Sequence, residues 1–143
     1  MKVIHVAIVT NEIDKSVKDY TERLGKEPSI VVPDEYALWR TEQINLSIRQ
    51  DANCNPGELR HLGFEDSNAK EFTASKDVNG ILWESFSAEQ QAEEINKFWP
   101  NAHYQPNEAG WILLLICTTS KQVTSYQALQ IEAAHAQELM SER

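Results

Sequence analysis

Lys2-Val3-Ile4-His5-Val6-Ala7-Ile8-Val9-Thr10 is the stretch on which the fold turns. Read at period two, Ile4, Val6 and Ile8 face one way, and Val3, His5, Ala7 and Val9 the other. Both rows are largely apolar, the pattern of a strand covered on two sides. Asn11 is placed to cap a helix, and Ile13, Val17, Tyr20 and Leu24 then recur at helical spacing. Gly25 stands where such a helix ends in the left-handed conformation.

Three short extended pieces follow this strand and helix: Ser29–Val32, Tyr36–Thr41 and Ile44–Arg49, with a turn at Pro33-Asp34. In the last piece Ile44, Leu46 and Ile48 share one face, and Asn45, Ser47 and Arg49 the other. Residues 1–50 thus predict a βαβββ unit, closed by a polar, turn-rich linker from Asp51 to Gly57. A second strand is expected at Leu59–Glu65, then a short helical stretch near Ser67–Ala74, a turn at Asp77-Val78-Asn79-Gly80 and a strand at Ile81–Phe86. Ser87 with Gln90 suits a capping box. Ala88, Ala92, Ile95 and Phe98 or Trp99 give the apolar stripe of a helix that Pro100 stops. A strand at Trp111–Thr118 and an alanine-rich helix over 121–141 complete the reading. The fold class is α+β, with one domain over 1–143: a first unit at 1–50, a shortened second unit at 58–86 and a C-terminal extension at 87–143.

Bulk properties narrow the functions. Hydrophobic residues are 41% and charged residues 24% of 143, the balance of a globular protein. No apolar run approaches the roughly 20 residues of a membrane span, and the N-terminus lacks the pattern of a signal peptide. Two distant cysteines, Cys54 and Cys117, make no disulfide framework, so a cytoplasmic location is expected. A net charge of −9 opposes nucleic-acid and membrane-surface binding. It leaves open an anionic ligand held by a local arginine.

The order of elements, with His5 in the first strand, Leu24-Gly25 ending the helix, Arg60-His61-Leu62-Gly63-Phe64 opening the second half, and Asp77-Val78-Asn79-Gly80 before Leu82-Trp83-Glu84, resembles the vicinal oxygen chelate superfamily. That superfamily includes glyoxalases, bleomycin-resistance proteins and extradiol dioxygenases. Tyr36-Ala37-Leu38-Trp39 and Ile44-Asn45-Leu46-Ser47-Ile48 look most like its cadmium-induced and organoarsenical lyase subgroup. The resemblance covers roughly residues 2–86 and implies a curved mixed sheet around a cavity, with His5, His61 and Glu84 as metal ligands. Two departures stand out. Only 22 residues separate His61 from Glu84, where the full pattern has about fifty, and the adjacent cysteine pair of the lyases is absent.

Two imidazoles and a carboxylate are the donor set of a facial triad, suited to iron, zinc, nickel or manganese. Residues 44–49 contain no acid, so the fourth ligand of the lactoylglutathione lyases is missing. Asn45, Ser47 and Arg49 would line the same cavity as substrate-binding residues, Arg49 as a clamp for a carboxylate or phosphonate. Each has a plainer alternative: His5 and His61 as core histidines on backbone carbonyls, Glu84 as a solvated strand-end acid, Arg49 as a surface charge. Trp39 and Trp83 read as core, Cys54 as an incidental loop thiol and Cys117 as a buried strand residue, while His103 and His135 receive no role. The expected function is a small metal-dependent enzyme, a dioxygenase or lyase, acting on a small oxygen-rich substrate. The alternatives are a non-catalytic, bleomycin-resistance-like binder and a dimeric interaction protein without metal. A homodimer is expected.

Overall fold

β1 (Lys2–Thr10) occupies the middle of a seven-stranded mixed sheet. On one side it pairs in parallel with β4 (Ile44–Gln50), which pairs antiparallel with β3 (Tyr36–Arg40), itself antiparallel to β2 (Ile30–Val32). On the other side β1 runs antiparallel to β5 (Leu59–Asp66), β5 is parallel to β7 (Leu82–Phe86), and β7 is antiparallel to the edge strand β6 (Thr73–Lys76). The computed structural model describes residues 1–106, which form one compact unit. The strand expected at Trp111–Thr118 and the helix expected over 121–141 lie outside the described residues.

A parallel pair such as β1 and β4 needs a crossover, and α1 (Ile13–Leu24) supplies it. Its apolar stripe buries Ile13 and Val17 against Ala37, Trp39 and Ile48, with Tyr20 and Leu24 packed at the margin. Full burial of one such aliphatic side chain stabilises by roughly 1.5–3 kcal/mol. The opposite face of β3 presents Tyr36 and Leu38 to α2 (Ala88–Phe98), where Ala92, Ile95 and Tyr104 close a second core. β3 is therefore covered on both sides. Trp39 is core as expected, with 0% exposure, whereas Trp83 is half-buried and its indole N–H donates to Asp77.

Several local expectations hold. Gly25 is left-handed at φ 61°, and Ser87 and Gln90 form the reciprocal capping box that starts α2. Two fail. Asn11 does not cap α1: Glu12 is the N-cap without a side-chain bond, and the Ile13 N–H goes to the Gln50 side chain on β4. The segment 67–74 is no helix. Asp66 Oδ1 accepts from the Asn68 N–H and turns the chain, and Thr73–Lys76 then pairs with β7 as β6.

Between β1 and β5 the register slips. Ala7 faces His61 and Ile8 faces Leu59, so Arg60 has no partner on β1. This is a β-bulge, one residue more on β5 than on β1. On the far side of the bulge the pairing continues, with Val9 bonded to Gly57 and Glu58.

Candidate metal centre

Cross-strand register builds the site. Asn45 on β4 lies beside His5 on β1, His5 beside Gly63 on β5, and Gly63 beside Glu84 on β7. Residues in such a row share one face of the sheet. His61 joins from two positions along β5, on the same face as Gly63. The gap left by Gly63 is filled by backbone: a Cβ there would lie well inside van der Waals contact of the Glu84 carbonyl oxygen. Glycine at this position lets β7 close on β5 and so brings Glu84 within reach.

His5, His61 and Glu84 converge. His5 Nε2 lies 3.0 Å from His61 Nε2, His61 Nε2 lies 3.1 Å from Glu84 Oε2, and one donor atom from each residue falls within 4.8 Å of the others. Burial, then the neighbouring His5, draws the His61 pKa down to about 4. Burial, then Glu94, pushes the Glu84 carboxyl up to about 7. Burial also lowers His5, against the hydrogen bonds it donates to the Asn45 oxygens, which raise it. Near neutral pH both imidazoles are therefore uncharged, and an uncharged imidazole is the form that ligates a metal.

Asn45 settles which nitrogen of His5 is free. Its Nδ2 sits 2.6 Å from Glu65 Oε2 and 2.8 Å from Gln91 Oε1, both acceptors, so its Oδ1 is the atom 2.8 Å from His5 Nδ1. His5 then donates through Nδ1, and its Nε2 lone pair points to His61 and Glu84. Gln91 Nε2 donates back to Asn45 Oδ1 at 3.2 Å, and Arg40 grips Glu65 with two guanidinium nitrogens. Burial opposes the charge on Glu65, but the Arg40 and Asn45 hydrogen bonds outweigh it and hold the carboxyl below its usual range. A histidine ligand steadied through its other ring nitrogen is the usual build of a metal site. Two neutral imidazoles with lone pairs to offer and a carboxylate beside them fit a divalent cation at the point where they meet.

The triad opens on a cavity of about 640 Å³, a size that takes a small organic ligand. The residues expected to bind substrate part company here. Ser47 and Arg49 line the cavity, with the Ser47 hydroxyl bonded to Tyr36 and the Arg49 guanidinium over the rings of Phe98 and Trp99 at 5.4 and 5.8 Å. Asn45 does not line it; the side chain is fully buried behind His5. Burial, against the Ser47 hydrogen bond, pushes the Tyr36 hydroxyl far towards its neutral form. Cys54 also lines the cavity, as does Arg60, which burial and then the Arg49 charge make less willing to carry its proton.

Sequence reasoning missed Arg40, Arg60, Glu65 and Gln91. Glu65 carried a readable signal, since it continues the row His61, Gly63 as an acid on a covered face. Gln91 carried none: it reaches Asn45 across 46 positions of chain.

A mixed α+β sheet with a two-histidine, one-carboxylate cluster at its centre is the class these features define, consistent with the vicinal oxygen chelate architecture. No family model matches the chain. It is 28% identical over 142 residues to a trivalent organoarsenical cleaving enzyme of Bacillus sp. (strain MD1), with 88% of this chain and 80% of that protein covered. The similarity supports the superfamily resemblance seen in the sequence. Among the described residues no helix is long and apolar enough to cross a membrane.

Proposed function

We propose that the protein is a metal-dependent enzyme of the vicinal oxygen chelate type, in which His5, His61 and Glu84 hold one divalent cation. One observation carries this reading: three donor atoms within 4.8 Å of each other, at the floor of a cavity, with Asn45 orienting one of them. Three protein ligands leave coordination positions open, and the bound ion would supply Lewis acidity towards a small oxygen-rich substrate. The protein's own part is to keep both imidazoles neutral, to fix the His5 tautomer through Asn45 and Glu65, and to shape the cavity above them.

Iron, zinc, nickel and manganese all suit this donor set. The relative named above makes cleavage of trivalent organoarsenicals the first activity to assay. Elemental analysis of untagged protein tests the reading: about one equivalent of metal is expected, lost in His61→Ala. Protein that stays metal-free after incubation with all four ions overturns it.

A further inference from the structure

Two arginines meet in the cavity, and neither is used by the triad. Arg49 comes from β4 beside Val9, and Arg60 from β5 at the bulge, so they flank the C-terminal part of β1 from opposite sides. Strict alternation would turn Arg60 away from the face that carries His61. The extra residue of the bulge cancels that alternation, and Leu59, Arg60 and His61 all line the cavity. Bulges commonly re-aim side chains in this way beside functional sites.

Arg60 is only partly exposed, yet it makes no hydrogen bond or ion pair among the described residues. Arg49 is engaged by the rings of Phe98 and Trp99, which leave its donors unspent. Guanidinium groups are almost always matched by carboxylates when removed from water, because a half-buried unpaired charge is costly. The acids that share the cavity do not fill that role. Glu84 belongs to the triad; Glu94 acts on Arg60 only at a distance and makes no ion pair with it, and Asp51 and Glu58 are exposed.

The geometry points to an organic oxyanion, a flat carboxylate or a tetrahedral phosphonate, as the ligand these two guanidinium groups receive. Phe98, more than half exposed, and Ile95, Leu59 and Leu82 give the same cavity apolar wall, so a bare inorganic anion leaves most of it unfilled. His5 lies four residues from Val9, the partner of Arg49, along β1, a span of about 13 Å at the rise of a strand, and Arg60 directly precedes His61. A ligand anchored by its anionic group at Arg49 and Arg60 therefore presents its other end to His5, His61 and Glu84. This assignment deepens the proposed function by naming a substrate class. It rests on that reading only for what the far end of the ligand meets.

The anion contact is tested apart from the metal. Benzoate, its neutral counterpart benzamide and inorganic phosphate are titrated calorimetrically into chelator-treated protein. Benzoate is expected to bind at least tenfold more tightly than benzamide or phosphate, and Arg60→Gln and Arg49→Gln each to weaken it about tenfold or more. Those results hold whether or not the triad takes a metal, so failure of the metal reading does not disguise them. Equal binding of benzoate and benzamide, which needs no variant, overturns the inference. So does phosphate binding as tightly as benzoate, or wild-type affinity for benzoate in folded Arg60→Gln protein.

Discussion

Replacing Asn45 separates what holds the fold from what prepares the metal centre. The side chain is fully buried and makes four polar contacts: 2.8 Å to His5 Nδ1, 2.6 Å to Glu65, and 2.8 and 3.2 Å to the two ends of the Gln91 amide. In Asn45→Ala the Glu65 carboxylate keeps Arg40, and His5 Nδ1 keeps the residue-45 carbonyl at 3.1 Å. Gln91, buried on α2, loses both Asn45 partners. A polar group left unpaired in the interior costs about 1–3 kcal/mol, and a lost hydrogen bond to a charged group about 1.5–3 kcal/mol, so the sum is centred on roughly 4 kcal/mol. At a urea slope of about 1–3 kcal/mol per M, the unfolding midpoint should fall by about 2 M. Metal affinity should fall about tenfold or more as well, because His5 Nδ1 loses the closer of its two Asn45 acceptors and with it the side chain that steadies the ring.

Asn45→Asp tells the two effects apart. It keeps an oxygen for His5 Nδ1 but sets a second carboxylate against Glu65. Stability should drop, while metal affinity stays within tenfold of wild type. Urea unfolding and competition with a chromophoric chelator measure the two quantities. A wild-type midpoint in Asn45→Ala, or metal affinity lost equally in both variants, would refute the reasoning.

Three further outcomes are expected. Gly63→Ala forces β7 away from β5, because its Cβ meets the Glu84 carbonyl; thermal unfolding should show a loss of about 1–3 kcal/mol, the usual cost of overpacking. Ser87→Ala removes one half of the α2 capping box and should cost about 1 kcal/mol by urea unfolding, with metal content unchanged. The third concerns pH in metal-free protein. Folding raises Glu84 to about 7 and lowers His61 to about 4. The native state therefore binds the extra proton at Glu84 between the ordinary carboxylate range and pH 7, so this group's contribution to stability falls as pH rises there. At His61 the unfolded chain binds the proton between pH 4 and the ordinary imidazole range, so that contribution falls as pH drops. The two slopes oppose each other. Glu84→Gln should leave the His61 slope exposed, with stability rising from pH 4 to about 6.5 by up to about 3 kcal/mol at 1.36 kcal/mol per unit. A flat profile in that variant contradicts the assigned protonation states.

His5, His61 and Glu84 were singled out through the superfamily resemblance, and alternation added only that each faces the same way as its neighbours in the strand. Val3, His5 and Ala7 on one strand and His61 and Gly63 on another each needed only a period of two, and the register then set them side by side. What was hidden depends on departures from rules or on distance. The bulge breaks alternation without any local mark, so nothing in the sequence marked Arg60 as a residue of the cavity. The α1 start looked like an asparagine cap, but its amides are met by Thr10 and Gln50, the latter brought by the parallel pairing of β1 with β4. The polar run 67–72 offered helix formers without an apolar stripe to bury, and the turn at Asp66 decided its course. Asn45 was placed on the correct face, yet its position in that row beside His5 aims it at a neighbour instead of at a ligand.

The bulge also makes residue 60 a detachable unit of the strand. Ala7 already faces His61 and Ile8 already faces Leu59, so deleting Arg60 keeps both pairings and asks Leu59 and His61 only to draw together. A chain shortened by that one position would recover an uninterrupted ladder, with alternation restored and the pairings of His5, His61 and Glu84 kept. One of the cavity's two guanidinium groups is thus carried on a single inserted residue, while the other, on Arg49, belongs to the regular ladder of β4.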